Sequence, residues 1–114
     1  MVTPSEGSVV LVPFPFSDLS QSKLRPAVVL TDAAKDDWIL CQITSKPYSD
    51  LRAVELMNAS FAQGSLHVVS YARPSKLFTA NQSLVVKHVG LLKDDILKQV
   101  IEAVVELLRK SIKP

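Results

Sequence analysis

An arginine followed by a proline, Arg25-Pro26, and a pair of adjacent alcohols, Thr44-Ser45, are the residues of this 114-residue chain best suited to handle an anion. A guanidinium is planar, stays protonated, and offers a two-pronged match to the oxygens of a phosphate or of a phosphorane-like transition state. Pro26 fixes its own φ and biases Arg25 toward an extended backbone, which presets the arginine at the mouth of a strand. Thr44 and Ser45 can each donate an O–H to a non-bridging oxygen. At about 1 kcal/mol net per hydrogen bond, they would orient what Arg25 stabilises. Lys23, Lys46 and Lys76 read as phosphate-positioning cations, and Arg73 as a cation able to neutralise a leaving oxygen. Asp18 is a candidate base if burial raises its pKa. Phe14, Phe16 and Tyr48 could stack on unpaired bases, though Phe14 and Phe16 could equally line a core. On residue types alone, Arg25 could as well be an edge residue in a solvent salt bridge with Asp18, and Thr44 and Ser45 could be turn formers.

Other chemistries find little material. Cys41 is the single cysteine and stands in the apolar run Trp38-Ile39-Leu40-Cys41, so we expect a buried thiol and neither a disulfide nor redox chemistry. His67 and His88 lack zinc-site spacing and are expected to be ordinary surface residues of strands; no metal and no cofactor is indicated. The net charge of +2 is too small to identify a nucleic-acid binder. Its distribution says more: no acid occurs from Leu56 through Lys93, a stretch that carries Arg73, Lys76 and Lys87, while Asp32, Asp36 and Asp37 cluster earlier. A basic face opposed to an acidic one, or a plainly solvated surface, would each produce this pattern. Residues 1–7 have no basic-then-apolar leader pattern, and no apolar run is long enough to span a bilayer, so the expectation is a cytoplasmic protein without membrane association.

The elements that must position these residues are short. Residues 8–14 are rich in β-branched types and carry Pro13, with Pro15 just beyond, which predicts a strand ending as an exposed edge. A polar loop over 17–23 leads to a buried strand at 27–30. A charged turn at 31–37 precedes a third strand over 38–43, which ends at Thr44-Ser45 and is broken by residues 46–50. Short strands are expected at 53–56 and 67–72, with a turn at 62–64 and a close at Arg73-Pro74; more strand character follows at 76–79 and 84–89. Strands this short, without helix-length gaps, favour a small barrel in one domain over residues 1–114. The period then changes: Leu97, Val100, Ile101, Val104, Leu107 and Leu108 share one helical face. Asp94 and Asp95 stand at its start and Arg109 and Lys110 at its end, where each sign opposes the helix dipole favourably. Ile96 and Val105 widen that apolar arc, which could serve both the barrel and a partner subunit.

The order of these pieces resembles the MazF/PemK/Kid toxins. Gly7-Ser8-Val9-Val10-Leu11-Val12, then Pro13-Phe14-Pro15-Phe16-Ser17-Asp18-Leu19, then Lys23-Leu24-Arg25-Pro26-Ala27-Val28-Val29-Leu30 is similar to that family's N-terminal signature. Ile43-Thr44-Ser45 resembles its strand-ending Thr-Ser motif. Tyr71-Ala72-Arg73-Pro74-Ser75-Lys76-Leu77 resembles its later arginine segment, and Val89-Gly90-Leu91-Leu92 the glycine before its terminal helix. The likeness runs from about Gly7 to Leu108. It implies a mainly β fold, an SH3-like barrel of the CcdB/MazF/PemK type with a C-terminal α-helix. It also implies a homodimer, an antitoxin partner, and a sequence-selective endoribonuclease that leaves a cyclic phosphate. Such cleavage of single-stranded RNA uses the substrate's own 2′-hydroxyl and needs no metal. On that reading Arg25, Thr44 and Ser45 are catalytic, and Lys23, Lys46, Arg73, Lys76, Asp18 and Phe16 bind RNA. The chain departs from the family pattern at Ser20-Gln21-Ser22, where many members carry glycine, and at Ser75, where some have an acid. CcdB-like toxins share the barrel but bind gyrase and catalyse nothing. Arg25-Pro26 and Thr44-Ser45 favour the nuclease, and residues 109–114 lack the bulky tip expected of a gyrase binder. An inactive RNA-binding or antitoxin-binding module of the same fold is the third reading.

Overall fold

A computed structural model describes residues 3–15, 22–46 and 50–112; Phe16, Asp18 and Tyr48 lie outside the described residues. Among the described residues, seven strands and one long helix follow in the order β1 (Ser8–Pro15), β2 (Ser22–Asp32), β3 (Asp37–Thr44), β4 (Val54–Leu56), β5 (Phe61–Gly64), β6 (Ser70–Asn81), β7 (Lys87–Leu92) and α1 (Asp94–Arg109). All ladders are antiparallel, and the strand order is β4-β6-β3-β2-β1-β7-β5. The two outermost strands, β4 and β5, are neighbours in sequence, joined by Met57 and the single turn Asn58–Ser60. So short a link draws the sheet's two edges together, and the result is the expected nearly closed barrel with a C-terminal helix.

The apolar pattern explains why the strands are unbroken in hydrophobicity. Val9, Val28, Leu30, Cys41, Ile43, Leu56, Phe61, Ala72 and Leu92 come from all seven strands and pack with Val100 and Val104 of α1 as one core. Val10, Val12, Ala27, Val29, Leu40 and Ala80 alternate with these and form a second cluster on the other face, packed with Phe14, Trp38, Phe78 and Val85. β1 and β2 are therefore buried on both faces, which is why they read as continuous valine-rich runs rather than as an alternation.

Several expectations are corrected. β1 is not simply an edge: it pairs with β7 from Ser8 to Leu11 and with β2 from Val9 to Pro15, so only its second half, which carries Pro13 and Pro15, lacks a β7 partner. That is where a missing N–H is tolerated. Residues 62–64 belong to strand β5 rather than to a turn; Gly64 ends it at φ +67°, where an added Cβ would run into the Val89 carbonyl oxygen. Arg73-Pro74 does not close a strand, because β6 runs on from Ser70 to Asn81. His67 is in a loop at φ +65° rather than in a strand, whereas His88 is an exposed residue of β7 with Nε2 3.1 Å from Ser8 Oγ. On α1, Val100 and Val104 are buried, but Ile101 and Leu108 of the expected docking face are exposed and, with Val105, flank an open apolar groove against Leu30, Ile39 and Leu77. Among the described residues no helix is long and apolar enough to cross a membrane.

Candidate functional site

Arg25 lies inside β2, not at its mouth. The strand starts earlier than residue types suggest because Lys23, Leu24 and Arg25 pair with Phe14, Pro13 and Val12 of β1. Arg25 and Lys23 are exposed. On the other side of β2, the ladder to β3 has Ala27 opposite Gln42 as its final pair; Arg25 stands two residues beyond Ala27, and Thr44 two beyond Gln42. Strand alternation puts Arg25 on the face of Ala27 and Thr44 on the face of Gln42, which is the same face of the sheet. The structure thus brings Arg25 and Thr44 to one end of adjacent strands.

Thr44 is the final residue of β3, half-buried and paired with Tyr71 of β6. Its Oγ1 accepts a hydrogen bond from the Lys46 backbone N–H at 3.1 Å, which fixes the turn after the strand. An alcohol that accepts through a lone pair still has its O–H to donate. Ser45 falls past the strand end in an exposed bend, and Lys46 beside it is exposed too, so the two alcohols are held unequally.

The second arginine is placed by an irregularity in β6. Cys41 pairs with Leu77 and Ile43 with Ala72, so the residues from Arg73 through Lys76 all stand opposite the single Gln42. This bulge interrupts the strand without ending it, and it carries Arg73 and the exposed Lys76 toward the same end of β3 that bears Thr44. Arg73 is not a loose surface cation. Its Nε lies 4.0 Å from Asp50 Oδ2, with the two side chains only 16% and 10% exposed. Asp50 in turn accepts from Ser75 Oγ at 2.8 Å, from the Ser75 N–H at 3.4 Å and from the Arg52 N–H at 3.0 Å. Burial by itself would raise the Asp50 pKa. The Ser75 hydroxyl, the two backbone amides and the Arg73 guanidinium outweigh it and hold the carboxyl below its ordinary value, so it is ionised at neutral pH. The residue types around Asp50 predict only the break after β3, and nothing within that segment announces Asp50's partners across the chain.

Cys41 is fully buried, as expected, and donates from Sγ to the Arg73 carbonyl oxygen at 3.0 Å. Burial pushes its pKa up to about 12, so it remains a thiol. Phe14 packs edge-on against Phe78, ring centroids 4.7 Å apart, which joins it to the second cluster and makes core packing its evident role.

The family model of PemK-like, MazF-like toxins of type II toxin-antitoxin systems matches residues 5–108. The chain belongs to this family. Among solved structures, it is similar to a chain of the MazE-MazF complex from Deinococcus radiodurans, with a TM-score of 0.74, 19% identity, and coverage of 99% of this chain and 100% of that one. MazF alone from the same organism aligns with a TM-score of 0.74 and 23% identity over 95% of this chain and 98% of that one. An endoribonuclease bound to its cognate antitoxin, from a mycobacterial species, aligns with a TM-score of 0.71 and 12% identity over 95% of each chain. At such identities the likeness concerns the fold. No curated protein matches the chain. For a member of the PemK-like, MazF-like family, the segments that bear Arg25, Thr44 and Arg73 all fall within the matched region.

Proposed function

We propose that the protein is the toxin of a type II toxin-antitoxin pair and acts as a metal-independent, sequence-selective endoribonuclease on single-stranded RNA. The observation that carries this reading is the arrangement of Arg25 and Thr44, two residues beyond the final β2–β3 pair and on one face, in a chain of the PemK-like, MazF-like toxin family. The substrate's 2′-hydroxyl attacks the adjacent phosphorus, so the protein needs no nucleophile of its own. Negative charge that gathers on the non-bridging oxygens is met by the Arg25 guanidinium, while the Thr44 O–H, with Ser45, orients the phosphate. Expulsion of the 5′-oxygen, which leaves as a hydroxyl with the proton balance made up by the one the 2′-hydroxyl gives up, leaves a 2′,3′-cyclic phosphate. Lys23, Lys46, Arg73 and Lys76 supply cationic contacts to the RNA, and Asp18 and Phe16 are proposed as further RNA-binding residues. The working unit is one domain over residues 1–114, assembled as a homodimer, acting in the cytoplasm and neutralised by an antitoxin. The relatives solved as toxin-antitoxin complexes support that partner.

The test is cleavage of a long single-stranded RNA in the presence of a chelator. Discrete fragments with cyclic-phosphate ends are expected from the unaltered protein and intact RNA from Arg25→Ala. RNA left intact by the unaltered protein, with stalled gyrase in its place, would replace this reading by the gyrase-binding one.

A further inference from the structure

The bulge Arg73–Lys76 is an unusual place for a cation that must meet a substrate precisely placed, since several consecutive residues face one residue of the neighbouring strand. Left to itself such a segment has many conformations. Here one carboxylate gathers it. Asp50 Oδ2 takes both the hydroxyl and the N–H of Ser75, its Oδ1 takes the N–H of Arg52, and its own carbonyl accepts the Ala53 N–H at 3.2 Å, which closes the 50–53 turn. Cys41 Sγ donates to the Arg73 carbonyl at 3.0 Å. Asp50 and Arg73 also face each other as opposite charges, Nε 4.0 Å from Oδ2 with both side chains largely covered. Yet Arg73 Nε has no hydrogen-bond partner although it is buried. The guanidinium is thus held near the carboxylate by charge and not by a hydrogen bond from Nε.

We infer that Asp50 is a positioning residue for phosphate recognition: it fastens the 50–53 turn to the β6 bulge and thereby sets Arg73 beside the Thr44 end of β3. The inference deepens the nuclease reading and rests on it. Without Asp50, Arg73 loses its charge partner and Ser75 loses its acceptor, so the Arg73 side chain is less firmly placed even though the Cys41 thiol still holds its carbonyl. A misplacement of about 1 Å in such a group costs on the order of a hundredfold in rate.

The experiment is a double-mutant cycle on the purified full chain with a single-stranded RNA substrate, reading kcat and KM separately. Asp50→Ala is expected to lower kcat/KM by about tenfold to a hundredfold. In an Arg73→Ala background the same change should cost less than about threefold, because the residue through which it acts is gone. Asp50→Asn, which keeps an acceptor oxygen but no charge, should fall between. If Asp50→Ala fails to fold, Ser75→Ala removes the shared hydrogen bond and leaves the charge; a smaller loss, again absorbed by Arg73→Ala, is expected. Equal losses in both backgrounds, or full activity of Asp50→Ala, overturn the inference while leaving the nuclease reading intact. An unaltered protein that cleaves no RNA overturns both.

Discussion

Phe61 of β5 occupies the space where a side chain on Gly90 of β7 would be: a Cβ built on Gly90 would lie 2.7 Å from Phe61 Cδ2 and 2.9 Å from the Gln63 carbonyl oxygen. β7 lies between β1 and β5, and Phe61 belongs to the main core, so this close approach fastens an outer strand of the barrel to its interior. Gly90→Ala should therefore destabilise the protein by about 1–3 kcal/mol, as overpacking does, in urea unfolding. Phe61→Leu in the same chain should recover part of the loss. A Gly90→Ala protein with unchanged midpoint and slope would show that the approach is not tight.

Arg25→Lys keeps the charge but replaces a planar fork with a point charge. Cleavage of a fluorogenic RNA oligonucleotide is expected to slow by at least about tenfold, with circular dichroism unchanged. Lysine at full rate would remove the argument for a two-pronged contact.

Thr44 is expected to matter through its O–H and through the turn its Oγ1 holds with the Lys46 N–H. Thr44→Ser keeps both and should retain most activity. Thr44→Val keeps the shape and loses about 1 kcal/mol per hydrogen bond, or roughly fivefold in rate for one bond. Equal rates for the serine and valine variants would mean that the alcohol does not touch substrate.

Acid should weaken the fold through Asp50. Its folded pKa lies below the ordinary value of 3.8. The resulting stability is thus fully present above that value and lost as pH falls through the lower folded one. Urea midpoints at neutral pH and near pH 3 should show a larger acid loss for the unaltered protein than for Asp50→Asn. Parallel losses would mean that other carboxylates dominate.

Alkali acts through Cys41 in the opposite sense. Its folded pKa is raised from 9.0 to about 12, so its contribution is intact below 9.0 and declines as pH rises from there toward the folded value. In native protein near pH 8 an aromatic disulfide reagent should label Cys41 only at the rate of opening, and at once in denaturant. Fast labelling of the folded chain would contradict the burial of this thiol.

The sequence by itself determined what depends on neighbours along the chain. The valine runs of β1 and β2, the helical spacing after Gly90 and the charges at the helix ends specify strands and a helix locally. Arg25-Pro26 and Thr44-Ser45 stand out as candidates for the same reason: a guanidinium before proline and alcohols at a strand end are local signatures. Tertiary structure decided whatever depends on residues meeting from afar. Arg73-Pro74 reads as a strand end because proline lacks a donor, yet the bulge opposite Gln42 lets β6 resume. The helical period assigns Ile101 and Leu108 to the face of Val104, but periodicity sets an angle around the axis and not what lies across from it. Asp50 and Ser75 stand 25 residues apart, and no pattern in either segment announces the bond between them. That bond forms because the barrel brings the 50–53 turn against the β6 bulge, where a carboxylate with little water around it must find donors.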